Sequence, residues 1–112
     1  MIAVTSESLN LDVLARVGLA LADDSRRRLL VQLTDGPAYP SELADVLGLG
    51  RANVSNHLAC LRGCGLVVAE PEGRRVRYEL ADPHLGHALR ELLNLVLATD
   101  PSACPASDEG CC

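Results

Sequence analysis

The sequence predicts a mainly α fold that carries one β-hairpin wing, and three observations predict it. Apolar residues recur at helical spacing in five separate stretches, two short β-prone runs flank a Pro-Glu-Gly bend, and glycine or proline marks most junctions. At 112 residues, 48% of them hydrophobic, the chain suits one domain around one core. Only Tyr39 and Tyr78 are aromatic, so that core must be built from Leu, Val and Ala. A small core of that kind is helped by oligomerisation.

Each element has its own signal. Leu11, Leu14, Ala15, Val17, Gly18 and Leu21 place a first helix from Ser8 to Leu21, with Ser8 or Asn10 as its cap. Asp24 or Ser25 caps a second helix, Arg26 to Leu33, which turns its leucines inward and stops at Asp35-Gly36-Pro37. Pro40 and Ser41 open a third helix that ends at Gly48. Leu49 and Gly50 lead into a fourth, from Arg51 to about Cys64, with Gly65 as the stop. Helix, tight glycine turn, helix is the helix-turn-helix pattern. Leu66–Ala69 and Val76–Leu80 read as strands joined by the bend at residues 71–74, the wing. Asp82-Pro83 starts a last helix, His84 to Ala98, with a wide apolar stripe through Leu85, Ala88, Leu89, Leu92, Leu93, Val96 and Leu97. One small core cannot cover so broad a stripe, and the first and last helices together are expected to form a homodimer interface. The whole is a winged helix-turn-helix: residues 1–98 form a DNA-binding and dimerisation domain, and residues 99–112 a flexible tail of Pro, Ser, Ala, acids, Gly and Cys.

Charge and cysteine usage narrow the function. The apolar runs are short and broken by charge, and Glu7 and Asp12 lie in the first twenty residues, which predicts neither a signal peptide nor a membrane span. Five cysteines, three of them within the last nine residues, do not make a disulfide framework; free thiols in a reducing cytoplasm are expected. The net charge of −5 argues against nucleic acid, but Arg51, Arg62, Arg74, Arg75 and Arg77 face only Glu70 and Glu72 in that stretch. All ten basic residues are Arg. A GC-rich genome would give the same inventory, and the guanidinium still suits phosphate and guanine.

In a helix-turn-helix the second helix enters the major groove, and its early residues meet the base edges. Arg51, Asn53, Ser55, Asn56 and His57 occupy that position here, with Arg suited to guanine and Asn to adenine. Arg74 and Arg75 in the wing are the natural phosphate or minor-groove contacts, whereas Arg77 can stay on its strand and pair with an acid. The plain alternative, a solvated polar face, is disfavoured by the basic wing that follows. The expected nucleic-acid partner is operator double-stranded DNA in an imperfect palindrome; no membrane and no small-molecule substrate are expected.

Cys60 and Cys64 are spaced i and i+4 near the end of the same helix. That spacing puts both side chains on one face, about 5–6 Å apart at Cβ, within reach of one ion. Free cysteines often serve as small buried hydrophobes, and each alone would be read so. The spacing, together with a cysteine-bearing tail, favours metal ligands.

As a set, Ala22-Asp23-Asp24-Ser25-Arg26-Arg27-Arg28-Leu29-Leu30, Ser41-Glu42-Leu43-Ala44, Asn53-Val54-Ser55-Asn56-His57-Leu58, Leu61-Arg62, Gly65-Leu66-Val67 and Gly73-Arg74-Arg75-Val76-Arg77-Tyr78 resemble the ArsR/SmtB family of metal-sensing repressors. The resemblance spans roughly residues 10–98 and implies a winged-helix homodimer that represses a metal efflux or detoxification gene. An arsenic-type site of that family needs a Cys pair near the third helix, and residues 38–45 hold none. A zinc-type site on the last helix would begin with Asp82 and His84, but Leu95 and Ala98 stand where its later ligands belong. The string Cys-Leu-Arg-Gly-Cys-Gly at 60–65 instead resembles the CmtR subgroup of cadmium and lead sensors, whose third ligand is a tail cysteine; Cys104 matches it. The subgroup's N-terminal Cys has no counterpart. Three thiolates make a soft site that favours Cd(II) or Pb(II), with Zn(II) and As(III) as further candidates. Cys111 and Cys112 are unexplained by the subgroup and stay open as a fourth thiolate, a second site with Cys104, a loading arm or bystanders. The resemblance also points to a tail that reaches the partner protomer's recognition helix.

The function so read is an apo repressor that leaves DNA on binding a thiophilic ion. Rivals are a thiol-redox or As(III)-responsive repressor of the same fold, and a winged-helix module that binds protein alone. No nucleophile, base and oxyanion arrangement can be assembled, so an enzyme is not expected.

Overall fold

The computed structural model describes residues 2–100 and 102–103, with side chains from Leu11 onward. Its elements run α1 (Ile2–Ala22), α2 (Asp24–Leu33), α3 (Pro40–Leu47), α4 (Arg51–Gly63), β1 (Val67–Glu72), β2 (Arg75–Leu80) and α5 (Pro83–Leu93), the predicted order of a winged helix-turn-helix. The core is aliphatic, as the composition requires. Leu29, Leu30 and Leu33 from α2, Leu43 and Ala44 from α3, and Val54, Leu58 and Leu61 from α4 are buried together with Ala20, Leu66, Val67 and Leu89. Among the described residues no polar or charged residue is buried.

The helix ends explain how α4 is aimed. Pro40 begins α3 at a position whose N–H has no helical partner to lose. Glu42 reaches back to accept from the Tyr39 N–H at 3.1 Å. Gly48 then closes α3 at φ 68, the left-handed conformation that glycine enters without a Cβ penalty. Gly65, at φ 85, does the same after α4 and turns the chain into the wing. β1 and β2 pair antiparallel from Val67↔Leu80 to Glu72↔Arg75, leaving Gly73 and Arg74 as the two-residue turn, with Gly73 at φ 64. Ala38 and Tyr78 exchange backbone hydrogen bonds of 2.9 and 2.8 Å, which pins the wing to the loop before α3.

Four boundaries differ from expectation by more than one residue. β1 runs Val67–Glu72 rather than Leu66–Ala69, because Pro71 and Glu72 still pair with Val76 and Arg75 and the bend shrinks from residues 71–74 to Gly73 and Arg74. α1 starts at Ile2 rather than Ser8: residues 2–10 contain no Gly or Pro to stop it. The cap of α2 is Asp23, not Asp24 or Ser25. Asp23 holds the extended φ/ψ of a cap and accepts from the Arg26 N–H at 3.0 Å, while Asp24 sits in the first turn and pairs with Arg27 at 2.9 Å. α5 ends at Leu93 rather than Ala98. Asn94 turns its side chain back onto the Arg90 carbonyl at 3.0 Å, and Leu95, Val96 and Leu97 lie 59–95% exposed with no apolar face to hold them helical.

α1 and α5 leave an apolar groove of about 420 Å³ between them, lined by Val13, Leu14, Val17, Leu85, Ala88 and Leu92 among others. No helix among the described residues is long and apolar enough to cross a membrane.

Candidate functional site

α4 has two working surfaces on one core-anchored rod. Val54, Leu58 and Leu61 point inward and are fully buried, which leaves Arg51, Asn53, Ser55 and Asn56 exposed along the outer face. His57 departs from that row. It is half-buried, with its Nε2 3.9 Å from Asp23 Oδ2, so its ring faces the start of α2. The Asp23 carboxylate is held below its ordinary pKa first by the Arg26 N–H and then, against some desolvation, by the nearby His57 and Arg26 charges.

The wing brings Arg74 and Arg75 to the same side as Arg51. A cleft of about 420 Å³ runs between wing and helices, lined by Arg51, Ser55, Arg74, Arg75, Ser41 and Tyr39 among others. Three guanidinium groups and the hydroxyls of Ser41 and Ser55 around one cleft suit an anionic backbone. The Arg75 guanidinium lies 3.4 Å from the centroid of the Tyr39 ring, a cation–π contact. The Tyr39 hydroxyl donates to Glu72 Oε1, and Glu72 Oε2 pairs with Arg77 Nη1 at 3.0 Å. Donation to Glu72 raises the Tyr39 phenol above its usual pKa. Arg77 thus stays on its strand with an acid, neutralising a carboxylate that would otherwise repel phosphate. Sequence reasoning missed Tyr39 and Glu72; the only hint was an aromatic placed directly before the helix-opening Pro40 in a chain with two aromatics.

At the other end of α4, Cys60 is exposed and Cys64 half-buried against the core. The Cys64 N–H donates to the Cys60 carbonyl at 3.0 Å, so the two thiols stand one helical turn apart as their spacing predicts. Arg26 Nη1 donates to Cys60 Sγ at 3.5 Å, a contact with no sequence signal. Cys104, Cys111 and Cys112 lie outside the described residues, and no group of three or more His, Cys, Asp or Glu poised for a metal occurs among the described ones. Two soft donors on one turn fit a thiophilic ion that takes its further ligand from elsewhere in the chain. His84, 93% exposed, pairs with its own cap residue Asp82 at 2.8 Å, and His87 is exposed on α5.

Comparison with known proteins agrees with this geometry. Residues 23–68 match the sequence family described as "Bacterial regulatory protein, arsR family". The HTH-type transcriptional regulator CmtR of Mycobacterium tuberculosis is 67% identical over 87 residues, 78% of this chain and 74% of the relative. The NMR structure of the cadmium metal-sensor CmtR from Mycobacterium tuberculosis superposes with a TM-score of 0.64 at 66% identity, over 77% of this chain and 90% of that one. A homodimeric winged helix-turn-helix DNA-binding domain from Mycobacterium bovis superposes with a TM-score of 0.70 at 31% identity, over 78% and 81% of the two chains. With two-thirds identity across most of both chains, and with the helix-turn-helix and wing in place, this chain belongs to the ArsR family of bacterial regulatory proteins and is a transcriptional regulator, not an enzyme.

Proposed function

We propose that the protein is a repressor that binds operator DNA as a homodimer in its metal-free form and leaves it when Cys60, Cys64 and Cys104 capture Cd(II) or Pb(II). The observation that carries this reading is the sharing of one helix: the base-facing residues Arg51, Asn53, Ser55 and Asn56 occupy the first half of α4, and the thiol pair closes it. Ligation at one end therefore acts on the rod that presents the other. A ligand shifts an equilibrium only if it binds the two states differently, and a ligand set that includes the recognition helix supplies that difference. By linkage, DNA lowers metal affinity by the same factor.

Dimerisation follows from the groove between α1 and α5 and the leucines around it, which a second copy would cover so that two α4 helices meet two half-sites. Five cysteines without the spacing of a disulfide framework support a reducing, cytoplasmic setting. Cys104 in the tail would supply the third thiolate, with the roles of Cys111 and Cys112 left open; a three-sulfur set also suits As(III), whereas Zn(II) usually takes a fourth ligand.

The test is a Cd(II) titration of the reduced protein on fluorescent operator DNA, with thiolate-to-metal charge-transfer absorption and anisotropy read together. Absorption should rise as anisotropy falls, and Cys60→Ser and Cys64→Ser should each bind DNA yet fail to release it. Full metal-driven release by either variant, or release by diamide with a chelator present and none by Cd(II), overturns the reading.

A further inference from the structure

We infer that Arg26 is a positioning residue that couples the state of the Cys60 sulfur to the orientation of the recognition helix, an inference that rests on the metal-responsive reading above. The start of α2 and one edge of α4 meet in two rungs. Asp23 and Arg26 are three residues apart, and so are their partners: His57 Nε2 stands 3.9 Å from Asp23 Oδ2, and Arg26 Nη1 donates to Cys60 Sγ at 3.5 Å. Residues three apart are neighbours on a helix face, so the rungs lie one turn from each other.

Arg26 also reaches a third helix. Its Nη2 donates to the Leu19 carbonyl of α1 at 2.9 Å, and its backbone N–H donates to Asp23 Oδ2 at 3.0 Å. Its side chain is only 24% exposed, and its Nε is buried without a hydrogen-bond partner, 3.9 Å from Asp23 Oδ2. One planar fork therefore ties α1, α2 and α4 together, a task that needs fixed donors pointing in several directions.

Sulfur chemistry makes the lower rung conditional. A Cys60 sulfur that gives an electron pair to a cation is a poorer acceptor for Arg26, and the cation's charge repels the guanidinium. Arg26 then has one nearby acceptor for its unpartnered Nε, the Asp23 carboxylate, and drawing Asp23 closer takes it from His57. Both rungs loosen together. They lie on the edge of α4 next to Asn53 and Asn56, so the ladder favours the metal-free orientation of the helix and is lost on ligation. That differential is what coupling between two sites requires.

The full-length reduced protein with Arg26→Gln, and separately with Arg26→Lys, tests this. Glutamine removes the charge and the fork; lysine keeps the charge but offers a single nitrogen. Thermal melting, Cd(II) affinity by charge-transfer absorption, and operator Kd with and without Cd(II) are measured for each. Both variants should fold, bind Cd(II) and bind operator, while the ratio of the two operator Kd values drops by about tenfold, within the roughly 5- to 150-fold span of such couplings. A merely structural role would lower the melting temperature and leave that ratio alone. An unchanged ratio in a folded variant overturns the inference, and so does loss of Cd(II) binding, which would make Arg26 part of assembling the ligands. If the glutamine variant does not fold, the lysine variant decides alone. Failure of the underlying metal reading shows separately, as wild-type protein whose operator Kd ignores Cd(II).

Discussion

α4 and α5 are both short helices with leucines at helical spacing, and they sit in opposite surroundings. α4 buries Val54, Leu58 and Leu61 completely, whereas α5 buries only Leu89 and leaves Leu92 and Leu93 about half exposed or more. α1 matches α5, with Leu11, Leu14 and Leu19 each at least 65% exposed. The DNA-reading side is thus completed within one chain, and the α1–α5 side is not. A contiguous apolar surface of that kind is unusual for a monomer. The contrast teaches that rigidity of the reading helix and spacing between two such helices are separate problems, the first met by the internal core and the second left to a partner surface.

The sharpest way to break this contrast is to cut each side in turn. Leu58→Ala removes a side chain with no exposure and should cost about 2–5 kcal/mol, read by urea denaturation at fixed protein concentration. Leu92→Glu should leave the fold intact but place an unpaired carboxylate in the buried interface of each protomer. At about 3 kcal/mol or more for the dimer as a whole, that raises the dimer dissociation constant at least about a hundredfold in sedimentation equilibrium. Operator affinity should fall with it, since half-sites are then read singly. If Leu92→Glu stays dimeric, the open face is not the interface.

Next in size come the wing contacts. Arg74→Ala and Arg75→Ala should each reduce the salt slope of operator binding by about 1 and weaken all sequences alike. The two arginines differ in support, because Arg75 is stacked on Tyr39. Tyr39→Leu should therefore reproduce part of the Arg75→Ala defect while Tyr39→Phe, which keeps the ring, should not. An equal defect in the two Tyr39 variants would show that the hydroxyl bond to Glu72 matters and the stacking does not, and wild-type binding by both would show that neither does.

What was legible in the sequence was whatever local chemistry decides. Pro40 and Gly48 bracket α3, Gly65 and Gly73 turn the chain into and around the wing, and Asp82-Pro83 opens α5, each by a backbone constraint carried in the residue itself. The Cys60 and Cys64 pair was visible for the same reason, since helical spacing alone puts them one turn apart. Periodicity could not show where α5 ends, because a stripe at residues 95–97 reads alike whether or not a partner covers it. Nor could it show Arg26 on Cys60, His57 on Asp23 or Arg75 on Tyr39, which join residues 34, 34 and 36 positions apart through tertiary packing. The α2 cap was misassigned because Asp23, Asp24 and Ser25 are all competent caps, and only backbone conformation chooses among them.

That cap supports the smallest of the expected effects, and it probes the reading side from its edge. The Asp23 carboxylate accepts from the Arg26 N–H and sits near His57, and its pKa is lowered in the folded chain. A carboxylate depressed on folding contributes stability that is present above its unfolded pKa, about 3.9, and is lost as pH falls through the lower folded value. Asp23→Asn keeps an oxygen for the same N–H, and Asn caps about as well as Asp, so helix α2 should survive. What disappears is the charge. Melting temperatures of wild type and variant should differ slightly at neutral pH and converge as the acid limb is descended, with the wild type losing its small advantage below about pH 4. A variant that melts in parallel with the wild type across the whole range would mean that the N–H bond alone holds the start of α2, and that Asp23 contributes no charge to the edge of α4.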